Sequence, residues 1–169
     1  IYRGMPQFPG RLLKALGDQS PLSLSTAGSA ELLGLVDSGQ SRSVGLAASV
    51  DAPASIFEAT ASLVHELADC GAVFVGGFHS PLERRCLDLL VAAEGPAIVC
   101  LGRTLEALKV PVAWLALLRK GKLMLISACG PSQKRASRES VRVRNACVAA
   151  LSDTFVVPQA TEGGRTEAL

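Results

Sequence analysis

Ala72-Val73-Phe74-Val75-Gly76-Gly77-Phe78-His79-Ser80-Pro81-Leu82-Glu83 is the stretch whose reading decides the fold. Four apolar residues between turn signals read as a short buried strand. Behind them Ser80 is a fitting helix N-cap, Pro81 suits the first helical position, and Glu83 completes a capping box. Strand, glycine turn and helix therefore follow one another directly, as in a βα unit. The two glycines let the backbone turn sharply and approach a ligand closely. The helix behind them is expected to present N–H groups and its positive dipole end to an anion. The loop carries neither the Gly-x-Gly-x-x-Gly fingerprint nor a Walker lysine, so a tight βα turn without a ligand stays the alternative.

Outward from this stretch the same alternation recurs. Val44-Gly45-Leu46-Ala47-Ala48 reads as a strand, and Ser55-Ile56-Phe57-Glu58 as a capping box. Ile56, Thr60, Leu63, Val64 and Leu67 then keep helical spacing up to Gly71. On the other side Leu82, Cys86, Leu89 and Leu90 form one helix face ending near Gly95, followed by an apolar strand at 97–101. A helix at 112–120, a strand at 123–126, a helix at 140–151 and a strand at 154–157 complete the series. Five alternations mean βαβ units: a Rossmann-like α/β fold, an open parallel sheet with helices on both faces, in three α/β/α layers. Residues 1–43 read as an irregular lead-in with short helices at 11–16 and 30–36 and a Gly/Ser/Gln linker. Residues 44–169 read as the ligand-binding domain.

Bulk properties agree. At 169 residues the chain has the size of one ordinary domain. It is 49% apolar but only 4% aromatic, so the core is aliphatic, as in helices packed on a parallel sheet. Five scattered cysteines (Cys70, Cys86, Cys100, Cys129, Cys147) form no Cys-x-x-Cys pair, which argues against disulfides and structural zinc and for a reducing, cytoplasmic home. No metal or cofactor is expected. No apolar run approaches the roughly 18–20 residues of a membrane span. The chain begins at Ile1 rather than Met and stops after a Gly-rich turn, so trimming at the first end and a closing helix beyond the second are expected.

The charge of +2 hides an asymmetry. Residues 1–100 carry 6 Lys/Arg against 10 Asp/Glu, and residues 101–169 carry 11 against 5. Lys134, Arg135, Arg138 and Arg142 fall in the richest stretch and read either as a phosphate-attracting surface or as a solvated basic face. In an open α/β sheet the ligand crevice lies beyond the carboxyl ends of the strands. The loop at 76–80 is the best candidate there, with His79 placed to donate to a phosphate or ribose, or simply to cap the loop. Arg144-Asn145, at the start of a helix, offers a phosphate contact and a base or sugar contact, or else braces a loop. Glu162-Gly163-Gly164-Arg165-Thr166-Glu167 repeats the Gly-Gly pattern after the last strand. Glu83 and Glu167 are the carboxylates nearest the crevice, and Glu83 already has a capping task. His65 reads as a surface residue.

In this order the loops resemble the DNA-processing protein A (DprA/Smf) family, over nearly the whole chain. Phe8-Pro9 to Leu16 and 21–33 resemble its lead-in. Val44-Gly45-Leu46-Ala47-Ala48-Ser49 stands where that family has a strand ending in Gly-Ser-Arg, and Val75 to Ser80 where it has Ser-Gly-x-Ala-x-Gly. Leu125-Ile126-Ser127 with Pro131 resembles Leu-Leu-Ser-Glu-x-x-Pro, and Arg144-Asn145-Ala146 through Leu151-Ser152-Asp153 resembles Arg-Asn-Arg-Ile-Ile-Ala-Gly-Leu-Ser-Asp. The resemblance implies a protein that binds single-stranded DNA and helps to load a recombinase. It implies Ser49, Gly76, Gly77, Phe78, His79, Ser80, Arg144, Asn145, Gly163, Gly164 and Thr166 as the groove lining, and it suggests a homodimer. Val50, His79 and Ala146 depart from it by standing where cationic contacts are expected. The last Gly-Gly loop is also similar to the Pro-Gly-Gly-x-Gly-Thr-x-x-Glu loop of LONELY GUY-type phosphoribohydrolases, with the third glycine missing and the glutamate displaced.

The expected function is thus a nucleotide- or single-stranded-DNA-binding protein. The alternatives are a nucleotide-processing hydrolase working through Glu167 and Arg144, or a nucleotide-sensing domain without catalysis.

Overall fold

The computed structural model describes residues 1–164 and Thr166. Among these, six strands form one sheet: β1 (Ser25–Gly28), β2 (Ser43–Leu46), β3 (Val73–Gly76), β4 (Ala97–Leu101), β5 (Leu123–Ser127) and β6 (Thr154–Val156), in the order β1-β5-β4-β3-β2-β6. Strands β2 to β6 run parallel, and β1 lies antiparallel on β5 at one edge. The sheet is mainly parallel, as the alternation of strands and helices predicts, and the lead-in adds one antiparallel strand of its own at the edge.

Parallel strands buried on both faces carry apolar side chains in both directions. Here Val73, Val75, Ile98, Cys100, Met124 and Ile126 point one way, into a core closed by α1 (Gly10–Leu16), α2 (Ala30–Asp37) and α6 (Arg138–Leu151). Phe74, Ala97, Val99, Leu123 and Leu125 point the other way, against α3 (Phe57–Asp69), α4 (Pro81–Ala92) and α5 (Val112–Arg119). The three-layer α/β/α arrangement follows from that alternation. No helix of the described residues is long and apolar enough to cross a membrane.

Two helix starts differ from expectation. Ser55 does not cap α3: Ala54–Ile56 form a 3-10 turn after Pro53, and no side chain caps the helix. Helix α6 begins at Arg138, because Ser137 accepts from the Ser140 N–H while the Ser140 hydroxyl answers the Ser137 N–H. Arg144 thus lies in the second turn of α6, away from the positive end of the helix dipole, which disfavours a cation.

The lead-in is locked to the sheet by charge. Asp37, at the end of α2, accepts from the N–H groups of Gly10 (2.9 Å) and Arg11 (2.8 Å) and so caps α1, whose own flanking residue is Pro9. The Arg11 guanidinium then reaches Asp153 at 2.7 Å, just before β6. Asp153 also accepts from the N–H (2.8 Å) and hydroxyl (2.9 Å) of Ser43, the first residue of β2. Burial raises the Asp153 carboxyl, but the Ser43 N–H, the Arg11 guanidinium and the Ser43 hydroxyl outweigh it and hold the group below its ordinary value of 3.8.

The carboxyl ends of β2 and β3 are joined by another carboxylate. Ser80 caps α4 and Glu83 answers it in a complete capping box, as the sequence predicts. Glu83 is only 8% exposed, and it does more than cap. Its Oε1 accepts from the Ala48 N–H at 2.8 Å, and its Oε2 from His79 (2.6 Å) and Ser80 (3.3 Å). One buried charge, satisfied by three backbone donors, therefore spaces the loops that follow two adjacent strands.

Two outcomes are expected. A carboxylate whose folded pKa is depressed stabilises above its unfolded value, and that stabilisation disappears as pH falls through the folded value. Asp153→Asn, at a side chain 41% exposed and therefore partly screened, should lower Tm by roughly 2–4 °C at neutral pH. The gap to the parent should begin to close as pH falls below 3.8 and should vanish once the folded carboxyl is protonated; a gap that does not narrow at all in acid would show that charge is not its source. Glu83→Gln removes a charged acceptor from three donors and should cost about 2 kcal/mol. Hydrogen exchange of the Ala48 and His79 amides should quicken with it; unchanged protection at both would refute the bridging role.

Candidate nucleic-acid interface

The chain lays down β2, β3, β4 and β5 in one direction, then returns through α6 to set β6 on the far side of β2. Loops leaving neighbouring strands diverge at such a switch point and leave a crevice beyond their carboxyl ends. A cleft of about 1090 Å³ lies there, crossing the sheet edge from α4 and α5 on one face to α6 on the other.

The predicted residues meet in it selectively. Ser49, Gly77, Phe78, His79, Ser80, Arg135, Arg144, Asn145, Gly163, Gly164 and Thr166 line the cleft. Gly76 ends β3 below it, and Lys134, Arg138 and Arg142 do not reach its wall. Arg142 instead forms an exposed pair with Glu139 at 2.7 Å. Arg165 and Glu167 lie outside the described residues. His65 is exposed on α3 beside Asp69, as expected of a surface residue.

The Gly-Gly loop is built differently from a phosphate cradle. Its amide donors at His79 and Ser80 already serve Glu83, the Glu83 N–H serves Ser80, and Pro81 has none. At the start of α4 the capping box therefore takes up the amide donors of His79, Ser80 and Glu83, and the Glu83 charge offsets the helix dipole. Phe78 takes φ 45°, a left-handed conformation rare for an aromatic residue, and its ring is buried in the core. A side chain on Gly76 would come within 3.1 Å of that ring and of the Leu46 carbonyl. Phe78 thus anchors the loop from beneath.

What the loop does present is a bare surface at Gly77. A Cβ there would sit 2.6 Å from Nη1 of Arg144 and 2.7 Å from its Cζ. Only glycine lets the guanidinium lie against the backbone. Nε and Nη2 of Arg144 also donate to Oδ1 of Asn145, at 3.0 and 2.6 Å, so the side chain is held across the floor. Ser49 is buried and already engaged: its hydroxyl accepts from the Thr161 N–H at 2.8 Å and fastens the last loop to the first.

The main cations absent from the sequence reading are Arg84, on the first turn of α4, and Arg103, in the loop after β4. Both line the cleft. The Arg103 loop is held by three bonds: Ser140 donates to the Gly102 carbonyl (2.7 Å), Ser127 to the Arg103 carbonyl (2.7 Å), and the Thr104 N–H to the Gln133 carbonyl (2.8 Å). With Arg135 and Arg144 they bring four guanidinium groups to one cleft. Isolated arginines carry no motif, and only the strand order gathers them. Val50 is 64% exposed at the cleft lip, where the family pattern has arginine.

Among the described residues no group of His, Cys, Asp and Glu is placed to hold a metal ion. Burial pushes the thiols of Cys86 and Cys147 up to about 11, and that of Cys100 well above its ordinary value, so these act as core residues.

No protein-family model matches the chain, nor does any curated protein. Solved structures do. DNA processing protein A (DprA) from Streptococcus pneumoniae superimposes with a TM-score of 0.77 at 17% identity, over 98% of this chain and 56% of that one. DNA processing protein A from Helicobacter pylori, whose structure concerns its single-stranded DNA binding mode, gives a TM-score of 0.74 at 21% identity, over 92% and 68%. The chain spans just over half the length of the S. pneumoniae protein. At these identities the likeness is one of fold, and the fold is that of DNA processing protein A.

Proposed function

We propose that this chain is a DprA-like module that binds single-stranded DNA along the cleft, holding the phosphates on arginine side chains. The observation that carries the reading is the convergence of Arg84, Arg103, Arg135 and Arg144 around the bare Gly77 loop at the topological switch point. Guanidinium groups suit phosphates because they donate in a planar fork and stay charged. The H. pylori neighbour, which binds single-stranded DNA, supports the same reading.

Size favours a strand over a single nucleotide. Small-molecule pockets usually run to roughly 300–1,000 Å³, and this cleft, at about 1090 Å³, lies open along the sheet edge. From β5 to β6 it passes four strand spacings, roughly 19 Å. The hydrolase alternative works through Arg144 and through Glu167, which lies outside the described residues.

Binding of a fluorescent oligothymidylate, followed by anisotropy over a salt series, tests the proposal. Affinity should fall linearly on a logarithmic salt scale, by about 0.7 in slope per phosphate contact. Arg103→Ala and Arg135→Ala should each weaken binding roughly tenfold and flatten the slope by one contact. No measurable binding at roughly 50 mM salt would end the reading. A finer check is Gly77→Ala. The three atoms nearest the added methyl all belong to the far end of the flexible Arg144 side chain, so Tm should change little, whereas binding should drop about as far as in Arg144→Ala. Full affinity in Gly77→Ala would show that Arg144 does not act from its position over the loop.

A further inference from the structure

One end of the cleft is unsuited to phosphate. There its wall is formed by Leu87 of α4, Leu101 at the end of β4, Leu108, and Trp114 of α5, the only tryptophan in the chain. Leu87 is buried, while Leu101, Leu108 and Trp114 keep partial exposure toward the cleft. An indole and three leucines beside a cationic floor form an amphipathic pair of subsites. An aromatic ring that is tethered to a phosphate is the chemistry that fills both.

Two charged side chains edge this apolar end. Arg84 and Asp88 stand one turn apart on α4, on the same face as Leu87, and both line the cleft. Both are exposed, and among the described residues neither side chain makes a hydrogen bond or an ion pair, with each other or with a third group. Their spacing of four residues brings the two chains within reach of one small planar ligand. A carboxylate accepts two parallel N–H donors, and an arginine fork donates to two adjacent acceptors. Guanine alone among the bases offers both, with N1–H and N2–H₂ on one edge and O6 and N7 on the next.

We infer that the Leu87–Trp114 end of the cleft is a nucleobase subsite that prefers guanine, with Trp114 as the stacking surface and Asp88 and Arg84 as the readers of the base edge. The inference rests on the proposed nucleic-acid reading and adds to it a sequence preference. Stacking on the indole is sequence-tolerant and supplies affinity. Discrimination comes from Asp88, because the other bases place an acceptor against the carboxylate or offer it a single donor. Asp88 is exposed, so the preference belongs at the low end of what a base-edge contact gives, about fivefold.

The lone tryptophan makes the test direct. GMP, AMP, CMP and TMP are titrated against the chain while Trp114 emission is followed, and short thymidine oligomers with or without one central guanine are compared by anisotropy. Quenching by GMP at about fivefold lower concentration than by the other three nucleotides, and a similar gain for the guanine-bearing oligomer, is the expected result. In Asp88→Asn the quenching should persist and the preference disappear. In Trp114→Leu the guanine-bearing oligomer should lose its advantage while the salt slope of the all-thymidine oligomer stays unchanged. Equal quenching by all four nucleotides, or an unaltered preference in Asp88→Asn, overturns the assignment. If thymidine oligomers bind with a steep salt slope while no nucleotide or oligomer alters Trp114 emission, the base subsite is refuted and the phosphate reading stands. If no oligomer of any sequence binds, the phosphate reading falls and takes the subsite with it.

Discussion

The carboxylate of Glu83 sets the distance between the first two loops of the cleft, and most of the site depends on that distance. A charge this deeply buried is costly unless its lone pairs are met, and here three backbone N–H groups meet them. Two of those donors lie in its own capping turn and one comes from the end of β2, so a local helix signal becomes a tertiary clamp. With the turn held, Phe78 is driven into the core in a left-handed conformation, and Gly77 is left facing Arg144. A loop built to satisfy itself in this way has few amides left for a ligand. That is why the positive potential over the loop comes from arginine side chains.

The strands were legible because a buried parallel strand is an uninterrupted apolar run. Val73 to Val75, Ala97 to Leu101 and Leu123 to Ile126 could hardly be anything else between glycine and lysine turns. Strand β1 was not legible, since Ser25-Thr26-Ala27-Gly28 carries no apolar alternation and is held by backbone pairing along β5. The start of α6 was missed for a chemical reason. Ser140 plays the part that glutamate or glutamine usually takes in a capping box, and a serine at that position is not a sequence signal. At α3 the error ran the other way: the spacing of Ser55 and Glu58 is right, but Pro53 starts a 3-10 turn that absorbs the serine.

The candidate site was legible in its glycines and in Arg144-Asn145, which sit in patterned segments. Arg84 and Arg103 were not, because each is a single charge whose meaning comes from where its element lies in the sheet. The lead-in shows the same dependence on long range. Arg11, Asp37, Ser43 and Asp153 come from four separate segments, and nothing in their local sequence announces that they form one network. The Leu-Ser-Asp end of the segment that resembles the DprA/Smf family becomes intelligible here, since its aspartate ties the last strand to the first helix.

Comparison with the DprA/Smf pattern also changes how the loss of cations should be read. Val50, His79 and Ala146 stand where that pattern is more basic or better suited to a phosphate, yet the cleft still gathers four arginines from α4, α6 and the loops after β4 and β5. Cations carried on different elements are distributed across the cleft, whereas those of a single loop would be concentrated at one point. A concentrated set of donors selects one phosphate group at fixed geometry. A distributed set of long side chains can follow a flexible backbone across several strand spacings, at the cost of ordering each chain on binding. On the proposed reading, the firm parts of this interface are therefore the anchors beneath it: the Glu83 clamp, the Ser127 and Ser140 bonds that hold the Arg103 loop, and the Asn145 contact that lays Arg144 over Gly77.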